Sequence, residues 1–118
     1  MWWNPAESGW GLNVTHQGST IFATLFTYAA SGQGLWLVLP AGVRQGDGSF
    51  LGEIYRTTGS AFNAVPFGGT TSITRVGTMR LRFQNGETGT LEYSVDGANV
   101  TKAITRQVFG SPAPACSG

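Results

Sequence analysis

Residues 78–97, TMRLRFQNGETGTLEYSVDG, contain the clearest structural pattern in the chain. Apolar and polar side chains alternate on both sides of the turn-forming pair Asn85-Gly86, and a second such pair, Asp96-Gly97, follows. Strict alternation places every second side chain on one face of a β-strand, and Asp-Gly is among the stronger short-range hairpin signals. The stretch therefore predicts antiparallel strands joined by tight turns. Its core-facing candidates are Met79, Leu81, Phe83, Leu91, Tyr93 and Val95.

The same period of two extends outward in both directions, and no stretch keeps the helical period of 3.6 for long. Pro40 either ends the third strand or lies at an edge or a bulge, because proline cannot donate a ladder hydrogen bond. Residues 59–69 contain Pro66 and a Gly-Gly pair, and they predict a long ordered connection with room for a short strand. Besides residues 91–95, strands are predicted over residues 11–16, 20–30, 35–39, 50–58, 71–84 and 100–109.

Seven or eight short strands with no helix to cover one face predict an all-β fold, a small antiparallel up-and-down (meander) β-barrel. We expect it to occupy residues 1–110, followed by a flexible Pro/Ala tail over residues 111–118. The alternative, an immunoglobulin-like sandwich, needs Greek-key crossovers, which evenly spaced hairpins disfavour. An eight-stranded barrel is either filled with side chains or holds one small ligand, and the sequence leaves both open.

Composition excludes several classes of function. Charged residues make up 11% of the 118 residues and the net charge is +1, so the chain has no electrostatic footprint for nucleic acid. No apolar run approaches the ~18 residues that span a bilayer. Low charge with 18 glycines is typical of extracellular β-proteins, so we expect a secreted or cell-surface location. Met1 is followed directly by two tryptophans without a signal peptide, which predicts an excised module or a mature form.

The opening segment, residues 2–11 (WWNPAESGWG), has a composition that no ordinary strand needs, with three of the four tryptophans. Glu7 and His16 are the candidates for acid–base catalysis near it. The alternative is that they satisfy each other or nearby backbone groups and fasten the segment to the sheet. No nucleophile elbow, metal-ligand spacing or phosphate-binding loop is present, so we expect no metal and no cofactor. The single Cys116 is either an inert thiol or a bridge to another module or copy.

Aromatic residues are the best binding feature of the sequence. Their faces stack on sugar rings or close over apolar ligands, although the same rings could fill the barrel and the opening segment instead. The predicted binding set is Trp2, Trp3, Trp10, Tyr28, Trp36 and Tyr55. A second feature is a group of charges on the last strands, which we interpret as a solvated cross-strand ladder rather than an anion-binding wall inside the barrel. Its members are Arg80, Arg82, Glu92 and Arg106.

The opening segment, continued through Leu12-Asn13 and His16-Gln17-Gly18, resembles a recurrent WWNPAESGWG-type module of secreted and surface proteins in proteobacteria. Later matching segments are GEIYR at 52–56, GTL at 89–91, YSVDG at 93–97 and ITRQVF at 104–109. The resemblance implies export and a β-module that is appended, sometimes repeatedly, to other domains, and it carries over no catalytic residue. The Ala29-Ala30 pair and the absence of paired cysteines depart from the pattern. The second departure implies a domain held by packing alone.

Three hypotheses follow. The first, which we favour, is a non-catalytic extracellular accessory module that binds a glycan or a small apolar ligand at an aromatic-rich end. The second is a purely structural module that assembles homo-oligomers or contacts tandem neighbours. The third is a small hydrolase-like enzyme that uses Glu7 and His16.

Overall fold

The computed structural model describes residues 1–66, 68, 72–108 and 110, and these residues form eight β-strands. The predicted tail, Cys116, Thr71 and Phe109 lie outside the described residues. The described part contains no helix of the length and hydropathy needed to cross a bilayer. In chain order the strands are β1 (Trp2–Trp3), β2 (Gly11–Gln17), β3 (Thr20–Tyr28), β4 (Gly34–Arg44), β5 (Phe50–Thr58), β6 (Ser72–Phe83), β7 (Thr88–Val95) and β8 (Ala98–Arg106).

The strands close into a barrel in which each pairs antiparallel with the next along the chain. The short strand β1 completes the wall, because Trp2 lies opposite Leu12 of β2 on one side and Arg106 of β8 on the other. The predicted meander barrel is therefore confirmed, and the sandwich is excluded because no crossover connects the strands. Closure leaves no long unpaired edge.

Chain direction gives the barrel two distinct ends. At the first, which we name the Glu7 end, residues 4–10 connect β1 to β2, and the connections β3–β4, β5–β6 and β7–β8 lie beside them. At the second, the His16 end, the turns after β2, β4 and β6 meet the start of β1 and the end of β8. The two ends are separated by the length of a strand, which is about 20 Å for six residues.

Aliphatic side chains fill the middle of the barrel. Alternation sends one face of each strand inward, and twelve hydrophobic residues form a single buried cluster there, with exposures of 0–6%. Of the two possibilities that the sequence left for the interior, side-chain filling or a ligand cavity, this region of the barrel shows side-chain filling. The buried residues are Leu12, Ile21, Ala23, Leu25, Leu37, Leu39, Phe50, Ile54, Met79, Leu81, Leu91 and Ile104.

The strand containing Pro40 differs most from the prediction. It runs over Gly34–Arg44 rather than ending near Leu39, and its register with β5 shifts between Val38 and Val43. Pro40 therefore lies at a bulge inside β4, one of the positions a sheet allows it. The bulge approaches β5 closely, because a Cβ added at Gly52 would lie 2.8 Å from Leu39 Cδ1.

Smaller differences affect other boundaries. The second predicted strand ends at Tyr28 instead of Ala30, because Ala29 already belongs to the turn: its N–H donates to the Gln33 carbonyl (2.8 Å). The last strand ends at Arg106. The described residues between β5 and β6 contain a turn, in which the Ala64 N–H donates to the Ala61 carbonyl (3.0 Å), and no strand.

Candidate functional site

The two candidate catalytic residues lie at opposite ends of the barrel. Both carboxylate oxygens of Glu7 accept hydrogen bonds from Lys102 Nζ at 3.0 Å. His16 Nε2 lies 2.7 Å from the Gly18 carbonyl oxygen at the other end of β2, and its ring packs edge-on against Phe50 at 5.3 Å. The structure therefore does not bring Glu7 and His16 together, so the idea that they satisfy each other is wrong, whereas the alternative of a nearby backbone group holds for His16.

Glu7 does fasten the opening segment, but to the last strand. Lys102 lies two residues before buried Ile104 on β8, so both side chains are on the inner face of the strand. Its ammonium lies 5.4 Å from the centre of the Trp10 ring. The Asn4 side chain adds a hydrogen bond from Nδ2 to the Ala103 carbonyl (3.2 Å). Two side chains of the opening segment thus hold the Glu7 end of the barrel to β8.

The tryptophans of the opening segment are mainly structural in their surroundings. Trp2 and Trp10 pack against the buried cluster, and the Trp2 ring lies 5.0 Å from that of Phe83. The Trp10 indole N–H is buried and has no partner among the described residues. Trp3 points to the opposite side of the wall from Trp2, and both rings are half-buried. None of these three offers a broad open face.

The open aromatic faces lie on the outside of β3 and β4. Trp36 is 61% exposed and Tyr28 is 58% exposed. Phe26 lies directly opposite Trp36, with ring centres 5.7 Å apart and planes tilted by 36°. We name these three residues the aromatic surface.

Glycines beneath the rings make this arrangement possible. The Phe26 ring lies against Gly11, where an added Cβ would clash with Phe26 Cζ, and the Tyr28 ring lies beside Gly9. Gly34 is the cross-strand partner of Tyr28 and places no side chain on the ring. The rings therefore lie close to the backbone on one side and remain open to solvent on the other.

A polar cluster borders the aromatic surface. Tyr55 of β5 lies opposite Val38, which is two residues from Trp36 on the same face of β4. The Tyr55 hydroxyl donates to Glu53 Oε2 (2.9 Å), and Arg75 Nε donates to Glu53 Oε1 (2.8 Å). The Tyr55 hydrogen bond, with Arg75 second, holds the pKa of Glu53 below its ordinary value, and the same bond raises the pKa of Tyr55. A carboxylate and a guanidinium are thus fixed beside the rings.

The predicted charge ladder is confirmed for three of its four members. Arg80 lies opposite Glu92, and Arg82 Nη1 lies 2.9 Å from Asp47 Oδ2 of the β4–β5 turn, a partner that the sequence did not suggest. Arg106 does not belong to the ladder. It lies two residues after buried Ile104, on the same inner face of β8, and is paired with Trp2.

Asp47 is anchored at its own turn as well. The Ser49 hydroxyl and the Ser49 backbone N–H both donate to Asp47 Oδ1, at 2.6 and 3.0 Å. Together with Arg82, these bonds lower the pKa of Asp47 to about 2. The carboxylate is therefore ionised at any physiological pH and keeps the ladder electrically balanced.

No protein-family model, curated protein or solved structure matches the chain. The resemblance of the opening segment to the proteobacterial module thus stays a prediction. Within the described residues no group of three or more His, Cys, Asp or Glu side chains could hold a metal ion. Sequence reasoning missed Phe26, Glu53 and Arg75 as neighbours of the aromatic surface. For Phe26 a signal was available, because it lies two residues before Tyr28 and therefore on the same face of the strand. Glu53 and Arg75 meet only through strand pairing.

Proposed function

We propose that this chain is a non-catalytic binding module that stacks a saccharide ring on its aromatic surface. The observation that carries the proposal is the open face of Trp36, 61% exposed and held in place by Phe26. Aromatic faces bind the apolar faces of sugar rings, while neighbouring polar groups set orientation. The Glu53–Tyr55–Arg75 cluster supplies acceptors and donors at the border and favours a saccharide over a purely apolar ligand.

The contribution of Trp36 to the binding free energy can be estimated from its exposed area. A tryptophan side chain presents up to about 250 Å², so an exposure of 61% leaves about 150 Å² open. A stacked ring that covers half of this area stabilises the complex by about 2 kcal/mol at 25 cal/mol per Å². Loss of this contribution weakens binding by about 30-fold. This contribution suits a weak module whose affinity is raised by repetition along a chain.

A glycan array followed by calorimetry with the best ligand tests the proposal. Trp36→Ala should weaken binding by about 30-fold and Tyr28→Ala by a smaller factor. Phe22→Ala is the matched control, because Phe22 is a 46% exposed aromatic residue on the outer face of the same strand, near the His16 end. Equal affinities for the Trp36 and Phe22 variants would refute the proposal. Binding of hydrophobic dyes without any glycan would replace the saccharide with a small apolar ligand.

Assembly is a second candidate, and a specific observation favours it. Ile73 of β6 is 67% exposed, and Phe62 and Val65 in the β5–β6 connection are 93% and 96% exposed. Exposed apolar side chains of this size mark interaction surfaces when they form a patch. Sedimentation velocity over a wide concentration range distinguishes the two functions. A concentration-dependent dimer that Ile73→Ser abolishes would favour assembly, and a monomer throughout would exclude it.

The enzyme hypothesis loses its support, because Glu7 and His16 lie at opposite ends of β2. An extracellular setting remains part of the proposal, on the basis of the low charge and the resemblance of the opening segment.

A further inference from the structure

A groove of about 290 Å³ lies on the outer face of β6, β7 and β8, with Leu51 of β5 at its border. This volume lies just below the range of about 300–1,000 Å³ that small-molecule sites occupy. In the barrel order β7 is four strands from β3, so the groove and the aromatic surface lie on opposite sides of the barrel. It belongs to neither the aromatic surface nor the polar cluster beside it.

Strand register arranges the lining of the groove in two parallel rows. Arg80, Glu92 and Thr101 lie opposite one another across the three strands and form the first row. Thr78, Ser94 and Asn99 form the second row, which is displaced by two residues on each strand toward the Glu7 end. Strand spacings make the array about 7 Å by 10 Å. The hydroxyl side chains are short, whereas Arg80 and Glu92 are long, which leaves a depression between them.

The side chains of this array have hydrogen-bonding capacity to offer a ligand. Among the described residues, the hydroxyls of Thr78, Ser94 and Thr101 and the amide of Asn99 have no hydrogen-bond partner within the protein. Arg80 is also loosely held, because its Nη1 lies 3.6 Å from Asp47 Oδ2, beyond hydrogen-bond distance. Hydroxyls and amides both donate and accept, so the array matches a ligand that does the same.

Charge balance narrows the ligand class. Arg80 and Arg82 face Asp47 and Glu92, so the two positive and two negative charges around the groove cancel. A phosphate or carboxylate would meet no excess of positive charge, and a cation would meet no excess of negative charge. An apolar ligand would find one apolar side chain on this face, Leu51 opposite Arg80, among six polar ones, because Tyr93 and Val100 point toward the interior. We propose that this groove binds a neutral polyhydroxylated ligand, a saccharide or polyol, through hydrogen bonds alone.

Titration of the ¹⁵N-labelled protein with glucose and with N-acetylglucosamine, monitored by NMR, tests this proposal. A shallow site of this kind should give a Kd of about 1–10 mM. Saturable shifts confined to the amides of the two rows support it. It is overturned if neither sugar gives a saturable shift at about ten times that concentration, or if inorganic phosphate shifts the same amides at the same concentration.

Two variants and two controls make the test specific. Ser94→Leu fills the depression and should weaken binding by about tenfold or more, and Asn99→Ala, at an exposed position, should weaken it about fivefold through one lost hydrogen bond. Thr15→Leu makes a similar change on the outer face of β2 and should have no effect. Trp36→Ala should leave the groove shifts unchanged, so failure at the aromatic surface and failure at the groove are distinguishable. If neither groove variant weakens binding more than Thr15→Leu, the proposal is wrong.

Discussion

Replacing Glu7 with glutamine should destabilise the barrel by about 1.5 kcal/mol, because Lys102 would then face the interior without a carboxylate. The two charges lie 3.0 Å apart, which corresponds to a Coulomb energy of about 1.4 kcal/mol in water and about 5.5 kcal/mol at an effective dielectric constant of 20. The side chains are 23% exposed for Lys102 and 45% exposed for Glu7, so solvent screens much of this energy. The loss of conformational entropy when the two side chains are ordered offsets a further part of it, and we expect a net coupling free energy of about 1 kcal/mol.

A double-mutant cycle measures this coupling. Urea unfolding is compared for the natural chain, Glu7→Gln, Lys102→Met and the double variant. Lys102→Met should cost less than about 0.5 kcal/mol, because it replaces an interior-facing charge with an apolar side chain of similar length. A larger loss of unfolding free energy for Glu7→Gln than for Lys102→Met indicates an inward-facing lysine that depends on its carboxylate partner. For an ordinary surface ion pair, both changes should cost little.

Glu87→Gln is the matched control, since Glu87 is an exposed carboxylate in the β6–β7 turn. It should change the unfolding free energy by no more than about 0.5 kcal/mol. The reasoning fails if Glu7→Gln is no more destabilising than Glu87→Gln, or if the coupling is below about 0.3 kcal/mol. It also fails if Lys102→Met is the more damaging of the two single changes, because the lysine would then contribute by packing.

Three further predictions concern the core, a close backbone approach and a pH dependence. Leu91→Ala should cost about 2–5 kcal/mol in urea unfolding, because Leu91 is 0% exposed; a cost below about 1 kcal/mol would contradict the packed interior. Gly77→Ala should disrupt the β6–β7 pairing seen by NMR, since its Cβ would overlap the Ser94 carbonyl oxygen; an unchanged spectrum would disprove this. The pKa of Tyr55 should lie above the ordinary tyrosine value of about 10, so its contribution to stability is present below that pH and is lost as the pH rises through the higher folded pKa. Spectrophotometric titration of Glu53→Ala should show the Tyr55 pKa falling, and an unmoved titration would rule out the Glu53 hydrogen bond as its cause.

Local signals predicted the last hairpins well because pattern and turn chemistry agree there. Asp96 and Gly97 both adopt positive φ, 49° and 85°, the backbone that the Asp-Gly pair favours. At Pro40 the local signal was ambiguous, since proline either stops a strand or occupies a bulge. Barrel closure decides between them, because β4 must continue to Arg44 to lie opposite Phe50. Such a requirement comes from the whole sheet and is not contained in the local sequence.

The role of Glu7 was predictable, but its partner was not. The sequence suggested a fastener and offered the only histidine, whereas the structure uses Lys102, 95 residues away. The two meet because the first and last strands close the barrel. One signal was present: Lys102 interrupts the apolar face that Ile104 belongs to, and an ionisable group on an inward face requires a partner. An interruption of alternation is therefore a useful search criterion for the partner of an unassigned carboxylate.

The aromatic surface shows where alternation alone stops being informative. Both faces of β3 are apolar, so the period of two could not say which face is inside. The structure buries Ile21, Ala23 and Leu25 and leaves Phe22 and Tyr28 outside, consistent with the narrow interior of an eight-stranded barrel, which the smaller side chains fit. The strand geometry would accept threonine at position 28 as readily as tyrosine, because that face is not part of the core. The exposed rings therefore contribute little that the fold requires, and a ligand or partner that covers them gives them a role that core packing does not.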